Sequence, residues 1–509
     1  MSRYAAIDIG SNSIRMLAAE MDPHKPMQVL AADRQVVRLG TSVFREGRLS
    51  EPSVDLACQV LQRMAVEYRK HDVLAVRAVG TAALRDASNA GIFLDRAAEI
   101  LGTPVEVISG LEEARLVQLG VQERWPHPKQ RILIVDVGGG SAEMILAENG
   151  HFVEAFSKPL GAVRLTELFL KSDPADPREI ARMQRYIQER IEGPTSRWKH
   201  EKVDRLIATS STAAATVCAV NQVKRAHRDD ADKMPATGRK IRELLQELSS
   251  HTLAGRARIP GIGPRRAEII VPGVAVLNEI LQGMRLPRLY YSTAGVRDGI
   301  IADLARRKVG MEVARLDADQ KRIVRSMARQ YGVSTKHVKK VADVASMLFE
   351  GLRSLHRQPP FRGRVLEAAA YLYNIGHFVN EAKHHRHSLY LVANSDLPGF
   401  DDRERMIIAN LCRYHRKSMP QAGHEPFQGL SPEDRRTVEL MAPLLRIAVA
   451  LDQSQQQRVE RVEAQALEAS VELRLFSDFD VDIEQWHASQ VSPIFQQVYG
   501  RPLSVKIKR

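Results

Sequence analysis

The sequence predicts an α/β protein with two related halves, followed by an all-helical region and a small α+β tail. Over residues 1–305, short apolar runs alternate with helical patterns. From about Lys308, charged and apolar residues recur at helical spacing, and strand-like alternation returns after residue 462. Because buried strands and amphipathic helices produce these two patterns, we expect domains over residues 1–130, 131–305, 306–461 and 462–509.

The individual elements follow from the same patterns. Six apolar runs predict buried strands: Ala5–Ile9, Val76–Gly80, Val105–Ile108, Ile132–Val137, Arg205–Thr209 and Leu289–Thr293. Five periodic segments predict helices: Asp317–Tyr331, Thr335–His356, Arg364–Asn374, Asp401–Tyr414 and Pro432–Arg458. In the tail, Val471–Phe476 and Leu503–Lys508 alternate like strands, and Ile483–Tyr499 has helical spacing. His227–Gly238 is the one markedly polar insertion, and we expect it to be mobile.

Composition limits the function classes. The chain has 509 residues, 44% of them hydrophobic and 27% charged, which is typical of a soluble globular protein. Its net charge of +13 favours polyanionic partners, whether nucleic acid, a membrane surface or a polyphosphorylated substrate. The three cysteines (Cys58, Cys218 and Cys412) form no metal or redox motif, and neither a leader nor a transmembrane segment is apparent. We therefore expect a cytoplasmic protein with reduced cysteines.

An internal repeat carries the functional argument. The segment Ala6–Leu17 recurs as Ile134–Ile145, 128 positions later. The repeat aligns Asp8, Gly10, Ser13 and Met16 with Asp136, Gly138, Ser141 and Met144. In both copies an apolar strand ends in Asp, turns through small residues and enters a second strand. The second copy continues to an Asn149-Gly150 turn, which predicts a β-hairpin.

These loops could bind a phosphate, but they differ from the phosphate-binding motifs of dinucleotide-binding folds and P-loop proteins. A dinucleotide fold and a P-loop both require the glycine motif to open a helix, and the P-loop also requires a lysine. In Gly138-Gly139-Gly140, backbone N–H groups can converge on an anion, and Ser13 and Ser141 add hydroxyl donors. Asp8 and Asp136 would repel a bare phosphate, so we expect a hydrated divalent cation between the loops. Simple glycine-rich turns remain the alternative.

Two such hairpins in an α/β chain are typical of the sugar kinase, Hsp70 and actin superfold. Four further segments make the resemblance to one family more specific. In chain order they are Gly80–Asn89, Ile108–Arg115, Val135–Glu143 and Tyr291–Gly299. Together they resemble the exopolyphosphatase and guanosine pentaphosphate phosphatase (Ppx/GppA) family. Four later segments resemble its long members, which carry a helical HD-like domain: Ala369–His377, His387–Tyr390, Asn394–Phe400 and Arg413–Lys417.

The resemblance implies two actin-like (ribonuclease H-like, ASKHA) domains and removal of a terminal phosphoryl group by water, without a phosphoenzyme. It implies that Glu113 orients and deprotonates the water and that Arg85 binds phosphate. Asp136 and Glu143 would bind Mg²⁺ or another divalent cation directly, and Asp8 would contact the ion through a bound water. The remaining phosphate-binding positions are Ser11, Asn12, Ser13, Gly138, Gly139, Gly140, Ser141, Thr209 and Ser210. Glu112 is the alternative base, and either glutamate can instead complement the helix dipole.

The sequence departs from the family pattern at two places. Ala208–Ala213 carries serines where the family often has glycine, which limits how closely the backbone approaches a phosphate. A metal-dependent HD phosphohydrolase needs a His-Asp dyad, and Tyr373-Asn374 stands at that place. Five histidines nearby leave a second metal site open as an alternative: His377, His384, His385, His387 and His415.

The leading hypothesis is an exopolyphosphatase acting on inorganic polyphosphate, and the alternative is the same chemistry on the 5′ γ-phosphate of guanosine pentaphosphate (pppGpp). Basic clusters in the helical region, such as Arg413–Lys417, would line a track for the polymer. An ATP-dependent kinase and a non-enzymatic scaffold are the other classes considered. The scarcity of aromatic residues, 5% of the chain, speaks against a stable nucleic-acid partner. A homodimer is expected from the resemblance, and no membrane association.

Overall fold

A computed structural model describes residues 2–22, 25–307, 314–421 and 423–508. The chain divides into two compact units, Met1–Gly310 and Met311–Arg509. Within the described residues, no helix combines the length and the apolar composition needed to cross a bilayer.

The first half of the first unit is built on a five-stranded sheet. Its strands are β1 (Ser2–Ile9), β2 (Ser13–Asp22), β3 (Lys25–Val36), β4 (Ala75–Gly80) and β5 (Val105–Val107). Its helices are α1 (Leu39–Glu46), α2 (Glu51–Arg69), α3 (Ala82–Asp86), α4 (Ala90–Leu101) and α5 (Gly110–Arg124). The strand order is β3-β2-β1-β4-β5, in which β1 to β3 form an antiparallel meander and β4 and β5 run parallel to β1.

The second half repeats this topology. Its strands are β6 (Arg131–Val137), β7 (Ala142–Glu148), β8 (His151–Lys158), β9 (Arg205–Thr209), β10 (Pro235–Thr237) and β11 (Arg288–Tyr291). Its helices are α6 (Ala162–Phe169), α7 (Pro177–Trp198), α8 (Ser210–Val220), α9 (Gly238–Ser250), α10 (Leu253–Arg258), α11 (Pro264–Ala267), α12 (Ile270–Gly283) and α13 (Val296–Arg306). The order β8-β7-β6-β9-β11 matches that of the first sheet, with β10 added antiparallel at the edge. The α/β fold with a duplicated actin-like core is therefore confirmed.

The duplicated hairpins explain how the sheets are placed. The predicted Asn149-Gly150 turn joins β7 to β8, and both residues have positive φ, 54° and 79°. Helices α5 and α13 pack on each other, and their apolar residues share one core with Ala6 of the first sheet and Ile134 of the second. This shared layer brings the carboxyl ends of β1 and β6, where the repeated loops begin, to the same cleft.

The polar segment His227–Gly238, expected to be a mobile insertion, contains regular structure. A 3₁₀ helix spans Arg225–Ala231, and β10 pairs with β11. The Asp232 carboxylate accepts hydrogen bonds from the backbone N–H and the hydroxyl of Thr293, at 2.8 and 3.0 Å. The polar composition hid this edge strand because its three residues are too few to show alternation.

The second unit is mainly helical. Its helices are α14 (Ala318–Gln330), α15 (Thr335–Gly351), α16 (Arg353–His356), α17 (Arg362–Leu372), α18 (His384–Ala393), α19 (Asp402–Tyr414), α20 (Glu425–Gln428), α21 (Pro432–Ala450), α22 (Asp482–Ser489) and α23 (Ser492–Tyr499). Its strands are β12 (Arg461–Ala466), β13 (Val471–Phe476) and β14 (Leu503–Lys508). The strands share one apolar core with the helices, through residues such as Val471 and Leu473. The four-part domain division stays a prediction.

Three helix predictions in this unit were too long. The helix expected over Thr335–His356 ends at Gly351, and Arg353–His356 forms the separate short helix α16. The helix expected over Pro432–Arg458 ends at Ala450, and the polar, glutamine-rich residues from Gln453 to Arg458 are half-buried or exposed. The single helix expected over Ile483–Tyr499 is two helices, α22 and α23. Pro493 stands in the first turn of α23, where its missing N–H is tolerated, and a proline cannot continue a helix from before it.

Candidate active site

The two repeated loops have the same backbone turn. The Gly10 N–H donates to the Ser13 carbonyl at 3.2 Å, and the Gly138 N–H donates to the Ser141 carbonyl at 3.0 Å. Each loop follows a strand ending in Asp and leads into the next antiparallel strand. The sequence-predicted residues of both loops, Ser11 to Ser13 and Gly138 to Ser141, line one cleft.

The triple glycine also permits the two loops to touch. A Cβ on Gly140 would lie 2.6 Å from the Ala82 Cβ and 2.7 Å from the Ser11 Oγ. A Cβ on Gly139 would lie 3.1 Å from the Asn12 backbone nitrogen. Neither glycine has a positive φ. Glycine is therefore needed at both positions for lack of space and not for its backbone conformation, and the two loops are in contact.

The second hairpin carries two facing carboxylates. Asp136 and Glu143 are direct cross-strand partners on β6 and β7, with 8% and 0% of their surface exposed. The Ser157 hydroxyl donates to Glu143 Oε1 at 2.8 Å, whereas Glu143 Oε2 and Asp136 Oδ1 have no hydrogen-bond partner. Burial raises the pKa of Asp136 to about 6, and burial with the charges of Glu113 and Asp136 raises that of Glu143 well above its ordinary value. Two buried carboxyl groups that repel each other are stable in the charged form only beside a cation.

The first hairpin differs at the equivalent position. Asp8 faces Arg15 across β1 and β2, and Arg15 stands 128 positions before Glu143 in the repeat. The Arg15 Nη2 also donates to the Ser211 hydroxyl in the second half at 2.8 Å. Burial raises the pKa of Asp8, and Arg15 opposes that effect. The first hairpin thus neutralises its own aspartate, and the second does not.

The donor set fits a magnesium ion. Mg²⁺ in proteins is usually held by one or two carboxylates, with water and substrate phosphate oxygens completing the octahedron. The unpartnered oxygens of Asp136 and Glu143 are donors of this kind. Across the described ranges, no group of three or more His, Cys, Asp or Glu side chains is placed to hold a metal. With these two carboxylates as ligands, water and phosphate oxygens would supply the remaining coordination positions.

Glu113 lies in the same cleft as the loops. It occupies the first turn of α5, whose N-cap Ser109 accepts the Glu112 N–H at 3.2 Å. Arg85 Nη1 donates to Glu113 Oε2 at 3.1 Å and to the Ile108 carbonyl at 2.7 Å. Burial, with the charges of Asp8 and Asp136, raises the pKa of Glu113 to about 7 against the opposing effect of Arg85. A carboxylate with this pKa suits a general base near neutral pH.

Glu112 lies in a different environment. Its carboxylate accepts from Arg115 Nε and Nη2, both at 2.8 Å, and from Arg77 Nη2 at 3.3 Å. Asp303 on α13 accepts from the same two arginines at 2.9 Å. Although burial alone would raise it, Arg115 and Arg77 lower the pKa of Glu112 to about 2. The neighbouring glutamates therefore have opposite surroundings, one a salt-bridge network and the other a polar cleft.

The serine-rich loop after β9 has a specific geometry. Thr209 is the cross-strand neighbour of Asp136, and its hydroxyl donates to the Ala294 carbonyl. Ser210 has a φ of 78°, a conformation that favours glycine, and its hydroxyl donates to the Val137 carbonyl at 2.9 Å. Both residues line the cleft. The positive φ makes Ser210 the residue of this loop whose place a glycine would take with less strain.

Sequence reasoning missed the arginines of the cleft. Besides the predicted loop residues, the cleft is lined by Arg15, Arg34, Arg228, Arg266 and Arg297. Arg15 was detectable, because it occupies the position of Glu143 in the first copy of the repeat. Arg297 lies in the Tyr291–Gly299 segment that carries the family resemblance. Arg34, Arg228 and Arg266 come from distant segments without a motif, and the fold brings them together.

Several histidines of the second unit take part in buried hydrogen bonds. Tyr373, at the place of the HD histidine, has its hydroxyl 2.6 Å from His337 Nε2, and His337 Nδ1 lies 2.7 Å from Asp452 Oδ2. His384 Nε2 lies 3.3 Å from His415 Nε2. The Tyr373 phenol and the Asp452 carboxylate thus occupy both ring nitrogens of His337 in a buried hydrogen-bonded network.

Comparisons with known proteins agree with this architecture. The Ppx/GppA phosphatase family matches residues 17–308, and Ppx/GppA phosphatase domain III matches residues 320–488. An Aquifex aeolicus member of the Ppx/GppA family is 28% identical with a TM-score of 0.53, covering 60% of this chain and 99% of its own. An exopolyphosphatase from Cytophaga hutchinsonii is 25% identical with a TM-score of 0.56, covering 60% of this chain and 98% of its own. An exopolyphosphatase-like protein is 27% identical with a TM-score of 0.58, covering 60% and 99%. The chain belongs to the Ppx/GppA phosphatases, a family of hydrolases that act on phosphoanhydrides.

Proposed function

We propose that this protein is an exopolyphosphatase, which releases the terminal phosphate of inorganic polyphosphate by attack of water. The observation that carries the proposal is the position of Glu113, a buried carboxylate with a pKa of about 7, beside Arg85 and opposite two small-residue loops. Phosphoryl transfer requires mainly positioning and neutralisation of charge, and this cleft offers both.

Each residue has a distinct part in the proposed reaction. The loop residues Ser11 to Ser13 and Gly138 to Ser141 present backbone N–H groups and hydroxyls to the phosphates, with Thr209 and Ser210 closing the far side. Arg85 binds the terminal phosphate and, through its 3.1 Å contact, fixes the Glu113 carboxylate. Glu113 orients the attacking water and accepts its proton as the new P–O bond forms and the anhydride bond breaks.

Asp136 and Glu143 would hold Mg²⁺, with Asp8 supporting it through water. When bound, the ion would neutralise charge on the phosphate oxygens during transfer. The unpartnered oxygens of Asp136 and Glu143 support this assignment, as does the contrast with the first hairpin, where Arg15 already supplies a positive charge.

The same chemistry on guanosine pentaphosphate is the second candidate, because both substrates present a terminal phosphoanhydride. The arginine lining of the cleft favours the longer polyanion. Phosphate release from long-chain polyphosphate and from guanosine pentaphosphate, compared as kcat/KM, separates them. A preference for the nucleotide by about an order of magnitude would reverse the assignment.

The mechanism is tested with two neighbouring, isosteric substitutions. Glu113→Gln should lower kcat by several orders of magnitude and keep polyphosphate binding, because it removes the base but not the phosphate contacts. Glu112→Gln should lower kcat far less, since Glu112 belongs to the salt-bridge network. Equal losses in the two variants would refute the choice of base, and loss of binding in Glu113→Gln would give that residue a structural role.

Two further expectations go with the proposal. A homodimer and a cytoplasmic location stay predictions, and sedimentation of the purified protein tests the first. An ATP-dependent kinase would transfer phosphate to a small acceptor, so the absence of such transfer in the presence of ATP would exclude that class.

A further inference from the structure

Two buried histidines of the second unit lie with their rings in close contact. His384 is the first residue of α18, and His415 directly follows α19. Their Nε2 atoms are 3.3 Å apart, and only 3% and 6% of the two residues is exposed. The reaction proposed for the first unit uses neither residue, so the contact has to be explained by the chemistry of the pair itself.

The other nitrogen of each ring fixes its tautomer. His384 Nδ1 lies 3.1 Å from the Glu381 carbonyl oxygen, and His415 Nδ1 lies 2.6 Å from the Cys412 carbonyl oxygen. A carbonyl oxygen can only accept a hydrogen bond, so each Nδ1 carries the hydrogen and donates it. Burial disfavours the charged form of both imidazoles. In the neutral rings each Nε2 therefore has a lone pair and no hydrogen, and the two lone pairs are 3.3 Å apart.

This arrangement is typical of imidazoles that bind a metal ion. Metal-binding histidines usually donate the N–H of the other ring nitrogen to a backbone carbonyl or a carboxylate, which orients the ring. Tetrahedral Zn²⁺ with nitrogen ligands at about 2.0–2.1 Å places two of them about 3.3 Å apart. The Nε2 atoms of His384 and His415 have this separation. A direct hydrogen bond between the rings would instead require one Nδ1 to give up its carbonyl partner.

We propose that His384 and His415 bind a transition-metal ion of the Zn²⁺ type through their Nε2 atoms. The site uses neither Tyr373 nor Asn374, which stand at the place of the HD dyad. Among the described side chains, no third His, Cys, Asp or Glu is placed to join the pair. Both histidines line a cavity of about 570 Å³, in which water can supply the remaining ligands. Imidazole ligands favour Zn²⁺, Cu²⁺ and Ni²⁺ over Mg²⁺.

One positive charge beside the pair opposes the ion. Arg416 lines the same cavity, and its Nη1 lies 3.3 Å from His384 Nδ1 and 3.4 Å from His384 Nε2. Arg416 is exposed, so its guanidinium can turn into solvent when an ion binds. Because the guanidinium and the ion repel each other and compete for His384, Arg416→Gln should tighten metal binding. Loss of either histidine should weaken it.

The test is Zn²⁺ binding to the full chain, measured by equilibrium dialysis in excess Mg²⁺ so that carboxylate sites are filled. His384→Gln and His415→Gln should each weaken binding at least about tenfold, since loss of even an outer hydrogen-bond partner costs about 10- to 100-fold. His387→Gln is the matched control, because His387 lies on the same helix and does not line the cavity. It should bind Zn²⁺ like the wild type.

Two further measurements distinguish a lost ligand from a damaged fold. Co²⁺ in place of Zn²⁺ should give the visible absorption of a tetrahedral ion in the wild type, and His415→Gln should lack it. Zn²⁺ should also raise the melting temperature of the wild type and of His387→Gln but not that of His415→Gln, because an ion that binds only the folded state stabilises it. Melts in EDTA show whether each variant is folded before the ion is added.

Equal Zn²⁺ affinity in the wild type and both histidine variants would overturn the inference. Loss of binding in Asp136→Asn, with normal binding in His415→Gln, would assign the ion to the first unit. Weaker binding in Arg416→Gln would contradict the competition between the guanidinium and the ion. None of these measurements depends on phosphate release, so the inference and the proposed function can fail separately.

Discussion

Replacing Glu112 by glutamine should destabilise the first unit without removing its chemistry. The substitution keeps the shape of the side chain but removes the negative charge that Arg115 and Arg77 share with Asp303. Arg115 is 2% exposed and Arg77 7%, so neither guanidinium can recover hydration. The mutation therefore leaves buried positive charge with one carboxylate fewer.

The size of the stability loss follows from the contacts that remain after the substitution. Breaking a buried ion pair by removing one partner costs about 3–5 kcal/mol. The glutamine carbonyl can still accept one hydrogen bond from Arg115, and Asp303 still pairs with both arginines. We therefore expect a loss near the lower limit, about 3 kcal/mol, which lowers the melting temperature by about 5 °C or more.

The loss should depend on pH with a definite sign. The folded pKa of Glu112, about 2, lies below its ordinary value of 4.5, so the network stabilises the fold above that value. This contribution falls away as the pH drops through 4.5 towards 2, because the unfolded chain then binds the proton first. The difference between wild type and Glu112→Gln should be full at neutral pH and shrink below about pH 4.

Thermal melts in excess EDTA across this pH range measure the effect, with Glu113→Gln as the control. That substitution removes a carboxylate whose pKa is raised by burial, so it should raise the melting temperature at pH above 7. If both variants shift the melting temperature alike, or if the Glu112→Gln difference grows as the pH falls, the assignment of the two glutamates is refuted.

Three further changes test other parts of the structure. Gly140→Ala should lower the free energy of unfolding, measured by urea titration, by about 1–3 kcal/mol and should lower kcat/KM, because the new Cβ would press on Ala82 and the first loop. The control is Gly91→Ala in α4, where a Cβ meets nothing within 4 Å, and it should be neutral or stabilising. Tyr373→Phe should destabilise the second unit by about 1–3 kcal/mol, since His337 Nε2 loses its buried partner; a loss below about 0.5 kcal/mol in denaturant would contradict this. Removal of divalent cations with EDTA should abolish phosphate release by the wild type, and full activity in EDTA would exclude the metal assignment. Asp136→Asn should raise the Mg²⁺ concentration needed to restore phosphate release.

The repeated motif made much of the first unit predictable. A shared Asp-Gly turn at an offset of 128 residues indicated two equivalent hairpins, and the sheets have the same strand order. Strand alternation and Asn149-Gly150 located the second hairpin as well. These features are local, since they depend on hydrogen bonds and turns within about 20 residues, and sequence patterns record such contacts directly.

The remaining features depend on contacts between distant segments. Three of the arginines that line the cleft, Arg34, Arg228 and Arg266, lie on β3, a 3₁₀ helix and α11, and nothing in their own neighbourhoods marks them. Glu112 and Glu113 are adjacent and chemically identical, and partners from distant segments distinguish them. Arg77 pairs with Glu112, whereas Arg85 donates to Glu113. The positive φ of Ser210 likewise appears only once the backbone is built.

The salt-bridge network also bears on how the chain folds during synthesis. Arg115 and its partner Asp303 are separated by 188 positions, and α13 packs against both α5 and β1. The ribosome therefore releases the whole first sheet and α5 long before the helix that completes their core exists. Until then the two guanidinium groups pair with Glu106 and Glu112 but lack Asp303, and the apolar surface that α13 covers stays open, so we expect the first half to reach its full stability only once α13 has been made. The duplication produced two halves with one topology, but a helix from the second half completes the core of the first.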